Sequence, residues 1–185
     1  AFTLTGPYGT GKSSLALYLQ ALISEKPKIK KQAMQKAKFS LKSNFSKIFL
    51  KEKWYVIKLI GSKQDPLENF AETIDHTVKT NWISKGIPTS FKSKTKPTVA
   101  SIIKSLTKLN FELDKKKYRL LFFVDEMGKY LEFVGSTGSD LNLFQEIAET
   151  FSNLKLQKQG LPVFISVLHQ PMDQYASSLG RSIQE

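Results

Sequence analysis

The chain alternates between short runs of consecutive apolar residues and longer stretches in which apolar residues recur at helical spacing. The short runs have the length of buried strands and lie at residues 2–5, 54–60, 120–124 and 161–168. The helical spacing predicts helices at residues 13–23, 66–81, 97 onward, 127–134 and 140–158. Between them, residues 82–96 and 135–139 contain Gly, Ser or Pro and predict loops.

Strands that alternate with helices favour an α/β protein with a parallel sheet. The run Leu120–Val124 contains only apolar residues, so both of its faces must be covered, as in the centre of such a sheet. We therefore predict a three-layer α/β fold with helices on both faces of the sheet. A length of 185 residues suits one domain of this type, spanning residues 1–185.

Charge distinguishes one segment from the rest of the chain. Residues 25–53 hold ten lysines, whereas the only carboxylates there are Glu25 and Glu52. We predict that this segment is a lysine-rich insertion on the domain surface, partly helical. Lysines interleaved with aromatic residues such as Phe39 and Phe45 are compatible with DNA or RNA binding.

The formal net charge of +12 also points to a nucleic-acid partner. However, Arg119 and Arg181 are the only arginines, and proteins that bind phosphates commonly use the planar guanidinium as well. A genome-wide bias toward lysine is therefore the alternative explanation of the charge, and both explanations stay open.

The absence of cysteine excludes disulfides, thiolate metal sites and thiol catalysis, and it fits a reducing cytoplasm. No apolar stretch reaches the roughly 20 residues of a membrane span, so no membrane partner is expected. The sequence starts at Ala1 within an apolar run and stops within a predicted helix. We therefore expect a segment of a longer polypeptide that contacts other domains of the same chain and, in an assembly, neighbouring subunits.

A glycine-rich motif follows the first predicted strand and precedes the first predicted helix. It fits the pattern G-x-x-x-x-G-K-S, and its residues are Gly6, Pro7, Tyr8, Gly9, Thr10, Gly11, Lys12 and Ser13. Glycines let the backbone approach phosphates closely, and the following helix N-terminus attracts an anion. Lys12 is predicted to contact the β- and γ-phosphates, and Ser13 is predicted to bind Mg²⁺. With Ser14, these residues form the predicted nucleotide site, and ATP is the expected nucleotide.

Two carboxylates, Asp125 and Glu126, end the most apolar predicted strand. An Asp in this position holds Mg²⁺ in nucleotide hydrolases, and the following Glu orients and deprotonates the attacking water. The alternative is an acidic first turn of a helix, which carboxylates also suit. Because the glycine-rich motif occurs in the same chain, we predict Asp125 as a metal ligand and Glu126 as the catalytic base.

His169 and Gln170 end the last predicted strand. Either side chain is a candidate for contact with the γ-phosphate or the attacking water, as a sensor residue. The alternative is a polar pair that simply ends a strand, and the sequence does not decide between the two residues.

These elements together resemble the additional-strand, catalytic-glutamate class of P-loop ATPases, which includes AAA+ and STAND ATPases. The resemblance rests on the glycine-rich motif, on Asp125-Glu126, and on strand 54–60, which lies between the two along the chain. The guanine-reading Asn-Lys-x-Asp of GTPases and the Leu-Ser-Gly-Gly-Gln of ABC ATPases do not occur in the sequence.

Residues 6–15, 124–132 and 168–176 are similar to the N-terminal ATPase domains of large bacterial AAA+/STAND-like proteins, several of which are linked to phage defence. The resemblance implies a P-loop NTPase fold, and ATP hydrolysis with Mg²⁺ that serves as the motor or switch of a larger protein.

Two other functions fit the same glycine-rich motif. The first is a nucleic-acid-binding module whose ATP site is regulatory. The second is a small-molecule kinase, which needs several arginines to clamp the transferred phosphate. Two arginines in the chain argue against the kinase.

Overall fold

The computed structural model describes residues 2–7, 9–23, 26–36, 53–84, 96–137, 142–154, 162–170 and Tyr175. Within them, the strands are β1 (Phe2–Leu4), β2 (Lys53–Ile60), β3 (Tyr118–Asp125) and β4 (Val163–Val167). The α-helices are α1 (Lys12–Leu22), α2 (Pro27–Lys36), α3 (Pro66–Thr80), α4 (Val99–Lys115), α5 (Gly128–Thr137) and α6 (Asn142–Leu154), and a short 3₁₀ turn covers Trp82–Ser84.

The four strands form one parallel sheet in the order β1-β4-β3-β2, which confirms the predicted parallel sheet. Along the chain, β2 lies between β1 and β3. In the sheet, β4 lies between these two strands, and β2 is the outermost of the described strands. The carboxyl ends are level, because Leu4 pairs with Val167 and Ile60 pairs with Asp125.

Helices cover both faces of this sheet, as predicted. On one face, Ala16 of α1 packs with Leu121 and Phe123 of β3. On the other face, α3, α4, α5 and α6 enclose the larger core, in which the side chains of Phe70 and Phe122 are fully buried. The sheet therefore lies between two helical layers in a three-layer α/β arrangement, with α1 on one face and α3 to α6 on the other.

Local sequence signals explain where two of the helices begin. Asp65 caps α3 by accepting a hydrogen bond from the Leu67 N–H at 2.8 Å, and Pro66 follows in the first turn, where it has no N–H to leave unsatisfied. Thr98 caps α4 in a reciprocal pair with Ser101. This cap starts α4 at Val99, whereas the sequence predicted a start at residue 97.

Other predicted boundaries are also wrong, including that of β4, which ends at Val167 and not at residue 168. β1 ends at Leu4 and not at residue 5, and it is not a buried strand, since Thr3 is exposed. β3 extends beyond 120–124 at both ends because Tyr118 and Asp125 still pair with β2. The predicted loop at 135–139 is helical up to Thr137, whose hydroxyl donates to the Phe133 carbonyl within α5.

Helix α2 is the described part of the predicted insertion, and Lys53 belongs to β2 rather than to that insertion. Residues 37–52 of the insertion lie outside the described residues, as do 85–95 of the loop predicted at 82–96 and both ends of the helix predicted at 140–158. Among the described helices, none combines the length and the apolar character needed to cross a bilayer.

We expect Phe70→Ala to lower the free energy of unfolding by about 3–5 kcal/mol, because it leaves a cavity in the aromatic centre of the core. The Phe70 ring lies 5.3 Å from the ring of Phe122 and 5.7 Å from that of Phe144. Urea unfolding measures the loss. Phe111→Ala is the control, because Phe111 is 45% exposed on α4, and its loss should be below about 1 kcal/mol. Equal losses in the two variants would contradict this packing.

Candidate functional site

The chain segments that follow the strands are joined to one another at the carboxyl edge of the sheet. Gly61 N–H donates to the Asp125 carbonyl at 2.7 Å, Met127 N–H to the Val167 carbonyl at 3.0 Å, and Leu168 N–H to the Leu4 carbonyl at 2.9 Å. The parallel ladder thus continues past the ends of β2, β3 and β4. The glycine-rich loop, Asp125, Glu126 and His169 therefore share this edge.

The glycine-rich loop occupies residues 6–11 and leads directly into α1, which begins at Lys12 and so one residue earlier than predicted. Gly9 and Gly11 have φ angles of 80° and 83°, in the region that residues with a Cβ rarely adopt. Gly11 is the residue before the helix, so this backbone geometry sets the direction in which α1 starts. Tyr8, predicted to contact the nucleotide, lies outside the described residues.

Lys12 folds its side chain back into the loop. Its ammonium group donates to the carbonyl oxygens of Gly6 and Pro7 and, at 3.2 Å, to the hydroxyl of Thr10. A lysine has three N–H donors, so these contacts use all of them, and the residue is only 9% exposed. Lys12 therefore holds a buried positive charge at the centre of the loop, and any anion bound there must replace one of its present acceptors.

Asp125 lies on the same face of the sheet as α1. Side chains alternate between the faces along a strand, and Leu121 and Phe123 both pack against α1. Asp125 continues this series at the end of β3 and is half-buried. Its Cα is separated from Leu4 by one strand, β4, which corresponds to about 10 Å.

Glu126 has a φ angle of 53°, which is unusual for a residue with a long side chain. This conformation costs about 1–2 kcal/mol. Two hydrogen bonds hold it: the Glu126 N–H donates to the Asp125 carboxylate at 3.0 Å, and the next residue, Met127, bonds to β4. Lys117 also has a positive φ but lies in the turn between α4 and β3, so among the described non-glycine residues Glu126 is the one with a positive φ that adjoins the candidate site.

Gly61, at the end of β2, makes room for this strained turn. A Cβ at position 61 would lie 2.0 Å from the Glu126 carbonyl oxygen, so only glycine fits. The same end of β2 is fixed by Tyr130, whose hydroxyl donates to the Ile60 carbonyl at 3.3 Å. Burial raises the pKa of Tyr130 above its usual range, an effect that a hydrogen bond with Ser62 partly offsets. Tyr130 therefore remains a neutral donor.

Lys129 holds Glu126 in two ways. Its backbone N–H donates to the Glu126 carbonyl at 3.0 Å, and its ammonium group contacts the Glu126 Oε2 at 2.5 Å. The contact engages one carboxylate oxygen and leaves Oε1 to face other partners. Neither Lys129 nor Gly61 was predicted from the sequence. The spacing of three residues between Glu126 and Lys129 permits such a pair, but only the structure shows it.

His169 and the glycine-rich loop line one small cavity of about 210 Å³, whose walls also include Gly11, Lys12, Ser13 and Ser14. Gln170 is exposed and is not among the lining residues. A second cavity of about 540 Å³ lies against the loop beside Thr3, Gly6 and Leu15. A cation, a helix N-terminus and an imidazole around one space can together bind an anion.

The described residues contain no group of three or more His, Asp or Glu side chains that could hold a metal ion by themselves. Asp125, on the α1 face, and Ser13, in the first turn of α1, are two of the oxygen donors at this edge.

Fold and site together define an α/β protein with a parallel sheet whose candidate site lies at the carboxyl ends of the strands, where such sheets bind their ligands. Comparison with protein-family models, with curated proteins and with solved structures finds no match for this chain. The function must therefore be argued from the site.

We expect Gly61→Ala to destabilise the protein by about 1–3 kcal/mol, because the added methyl group overlaps the Glu126 backbone and one of the two chain segments must move. Thermal unfolding measures the loss. The control is Lys63→Ala, because Lys63 is an exposed residue in the same segment after β2. A Gly61→Ala variant as stable as the Lys63→Ala variant would contradict the close approach of Gly61 to Glu126.

Proposed function

We propose that this protein binds ATP at the glycine-rich loop and hydrolyses it in a Mg²⁺-dependent reaction. The observation that carries the proposal is the cavity shared by Lys12, Ser13 and His169, at the same edge of the sheet as Asp125 and Glu126. A glycine-rich loop between a strand and a helix is the arrangement that binds nucleotide phosphates in many proteins.

In this proposal the loop receives the triphosphate. The N-terminus of α1 favours negative charge at Gly11 and Ser13. Lys12 exchanges its contacts with the loop carbonyls for the β- and γ-phosphate oxygens. Since its charge is already buried within the loop, it needs no large movement to meet an anion there.

Ser13 and Asp125 are the residues that would hold Mg²⁺, with the phosphates completing its coordination. The position of Asp125 on the α1 face of the sheet supports this pairing. The ion supplies charge neutralisation on the phosphate oxygens.

Glu126 is the proposed general base. Its carboxylate accepts a proton from the water that attacks the γ-phosphorus, while the bond from that phosphorus to the β–γ bridging oxygen breaks. The strained backbone at Glu126 supports an active-site role, because strain of this kind persists where the surrounding structure fixes a functional geometry. His169, on the cavity wall, is the proposed contact for the γ-phosphate.

The strand order supports a narrower class. One strand, β4, separates the strand that precedes the loop from the strand that ends in Asp125. An inserted strand of this kind, together with a Glu directly after the Asp that ends β3, resembles the additional-strand, catalytic-glutamate ATPases. We therefore propose an AAA+/STAND-like P-loop ATPase module of a larger bacterial protein, which works in the cytoplasm as a motor or switch.

Glu126→Gln should bind ATP as the parent protein does and lose turnover by about 100-fold or more, because the amide cannot accept the proton of water. Binding is measured with a fluorescent ATP analogue and Mg²⁺, and turnover by phosphate release. Glu132→Gln is the matched control, since Glu132 is an exposed carboxylate on the same helix as Lys129, and it should keep full turnover. Unchanged turnover in Glu126→Gln would remove Glu126 from its proposed role.

Alanine substitutions of His169 and Gln170 should show which of the two candidate sensors contributes to turnover. His169→Ala should lower turnover by about tenfold or more, the cost of one lost hydrogen bond to a charged group, whereas Gln170→Ala should change it little. The reason is that His169 lines the cavity beside Ser13 and Gln170 does not. Phosphate release at saturating ATP is the measurement, and a larger loss in Gln170→Ala would reverse the assignment.

A further inference from the structure

A third cavity lies near the start of β2, away from the carboxyl edge. It has a volume of about 580 Å³ and lies beside β2, the outermost of the described strands, between the end of α1 and the end of α3. Trp54, at the start of β2, and Trp82, in the 3₁₀ turn, both line it, and we name it the tryptophan groove. Its volume is in the range of small-molecule pockets, large enough for a nucleobase and its sugar.

Trp82 is the most exposed large apolar side chain among the described residues, with 73% of its surface accessible. An exposed indole presents a flat apolar face to solvent, and such a surface commonly serves binding. Trp54, in contrast, is 7% exposed and belongs to the core beneath.

The turn that carries Trp82 is rigid. Ser84 is fully buried and forms 2.8 Å hydrogen bonds with the Tyr55 hydroxyl and the Val78 carbonyl. The Asn81 side chain accepts from the Ile83 N–H at 3.0 Å, and the Lys116 ammonium donates to the Ile83 carbonyl at 2.5 Å. The backbone that carries the exposed indole is therefore held in place before any partner binds, which lowers the entropic cost of binding.

Gln20 adds a polar group to the wall of the groove. Its side-chain nitrogen is buried and has no hydrogen-bond partner among the described residues. A buried donor without an acceptor is unfavourable, so an acceptor supplied by a ligand would stabilise the site. The carbonyl and ring-nitrogen atoms of nucleobases are acceptors of this kind.

A basic helix, α2, follows the groove residue Ile23 along the chain. Helix α2 packs on α1 through Ala33, whose carbonyl accepts from the Tyr18 hydroxyl at 2.9 Å. It begins four residues after Ile23, which lines the groove. Residues 26–36 contain five lysines and no carboxylate, and Lys28, Lys31 and Lys36 are exposed. A polyanion is the partner that complements this face.

We propose that the tryptophan groove and α2 together bind single-stranded nucleic acid, with a base stacked on Trp82 and the backbone phosphates along the α2 lysines. An unpaired base offers the flat face that a duplex keeps within its own stack. An acidic peptide would match the lysines but not the indole. A lipid surface requires an apolar helix face, whereas Ile29 is the single exposed apolar residue among the exposed Lys and Gln side chains described on α2. The site is separate from the proposed ATP site, and its test does not depend on hydrolysis.

The test uses the full chain and a fluorescein-labelled oligothymidylate, with anisotropy measured over a range of salt concentrations. Trp82→Ala should weaken binding by about 5- to 150-fold through the loss of one stacked base, and Trp82→Phe should retain most of the affinity. Replacement of Lys28, Lys31 and Lys36 by Gln should reduce the slope of log affinity against log salt by about 2, since three phosphate contacts are lost.

The matched controls lie on α4, which packs on the face of the sheet opposite to α1 and α2. Phe111→Ala removes another exposed aromatic side chain, and replacement of Lys104, Lys108 and Lys115 by Gln removes the same number of charges. Both should leave binding unchanged. Equal losses in the α2 and α4 variants would show that net charge alone attracts the oligonucleotide and would overturn the proposal.

Three other results would also overturn it: no binding of the parent protein at low salt, equal affinity for duplex and single strand, or binding of anionic lipid vesicles in place of the oligonucleotide. Quenching of tryptophan fluorescence is an independent readout, because the chain has only Trp54 and Trp82. The oligonucleotide should quench the parent protein, and most of this quenching should be lost in Trp82→Phe, in which only the buried Trp54 remains. Quenching as strong in Trp82→Phe as in the parent protein would exclude stacking on Trp82.

Discussion

The pairing of β4 with both β1 and β3 is the contact on which the rest of the structure depends. Residues 2–4 and 163–167 are far apart in sequence, and their parallel register brings the glycine-rich loop level with the end of β3. Without β4, no strand would hold Asp125 at a fixed distance from the glycine-rich loop. The hydroxyl of Ser166, buried in the sheet, donates to Thr3 at 3.1 Å and adds a side-chain contact to the same pairing.

The strained turn at Glu126 shows how this edge is stabilised. An unfavourable φ angle persists only where surrounding contacts outweigh its cost. Here, contacts come from three directions: β2 through Gly61, β4 through Met127, and α5 through Lys129. The position of the carboxylate is therefore a property of the whole edge. A substitution that alters any one of these three contacts should therefore change the position of the Glu126 carboxylate.

The sequence predicted the parts of the fold that depend on local pattern. Burial of both faces made β3 recognisable, and helical spacing located α3 and α4. The prediction from sequence failed where the end of an element depends on a partner far along the chain. β3 is longer than its apolar run because Tyr118 and Asp125 pair with β2. The prediction also failed at Gly135–Thr137, where α5 continues through residues typical of loops, because the Ser136 and Thr137 hydroxyls bond to Phe133 within the helix.

For the site, the motif placed Lys12 and Asp125 at the right ends of their elements, because glycine-rich loops and strand-ending carboxylates have local signatures. The contacts that these residues make have no such local signature in the sequence. The return of the Lys12 ammonium to its own loop, and the approach of Gly61 to Glu126, depend on backbone geometry that residue types do not encode. The exposure of Trp82 depends on the hydrogen bonds of Ser84 with Tyr55, 29 residues away, and a lone tryptophan in a sequence is as readily part of a core.

Helix α1 connects the two regions of interest. Its first residue, Lys12, lies in the glycine-rich loop, and Gln20 and Ile23 at its other end line the tryptophan groove. An eleven-residue helix spans about 16 Å, so one helix packed on the sheet reaches from the loop to the groove. Ligands at the two ends are coupled only to the extent that each favours a different position of α1, and any such coupling is reciprocal. Since α2 rests on α1 and not on the sheet core, a polyanion on α2 would act on the same helix that begins the loop.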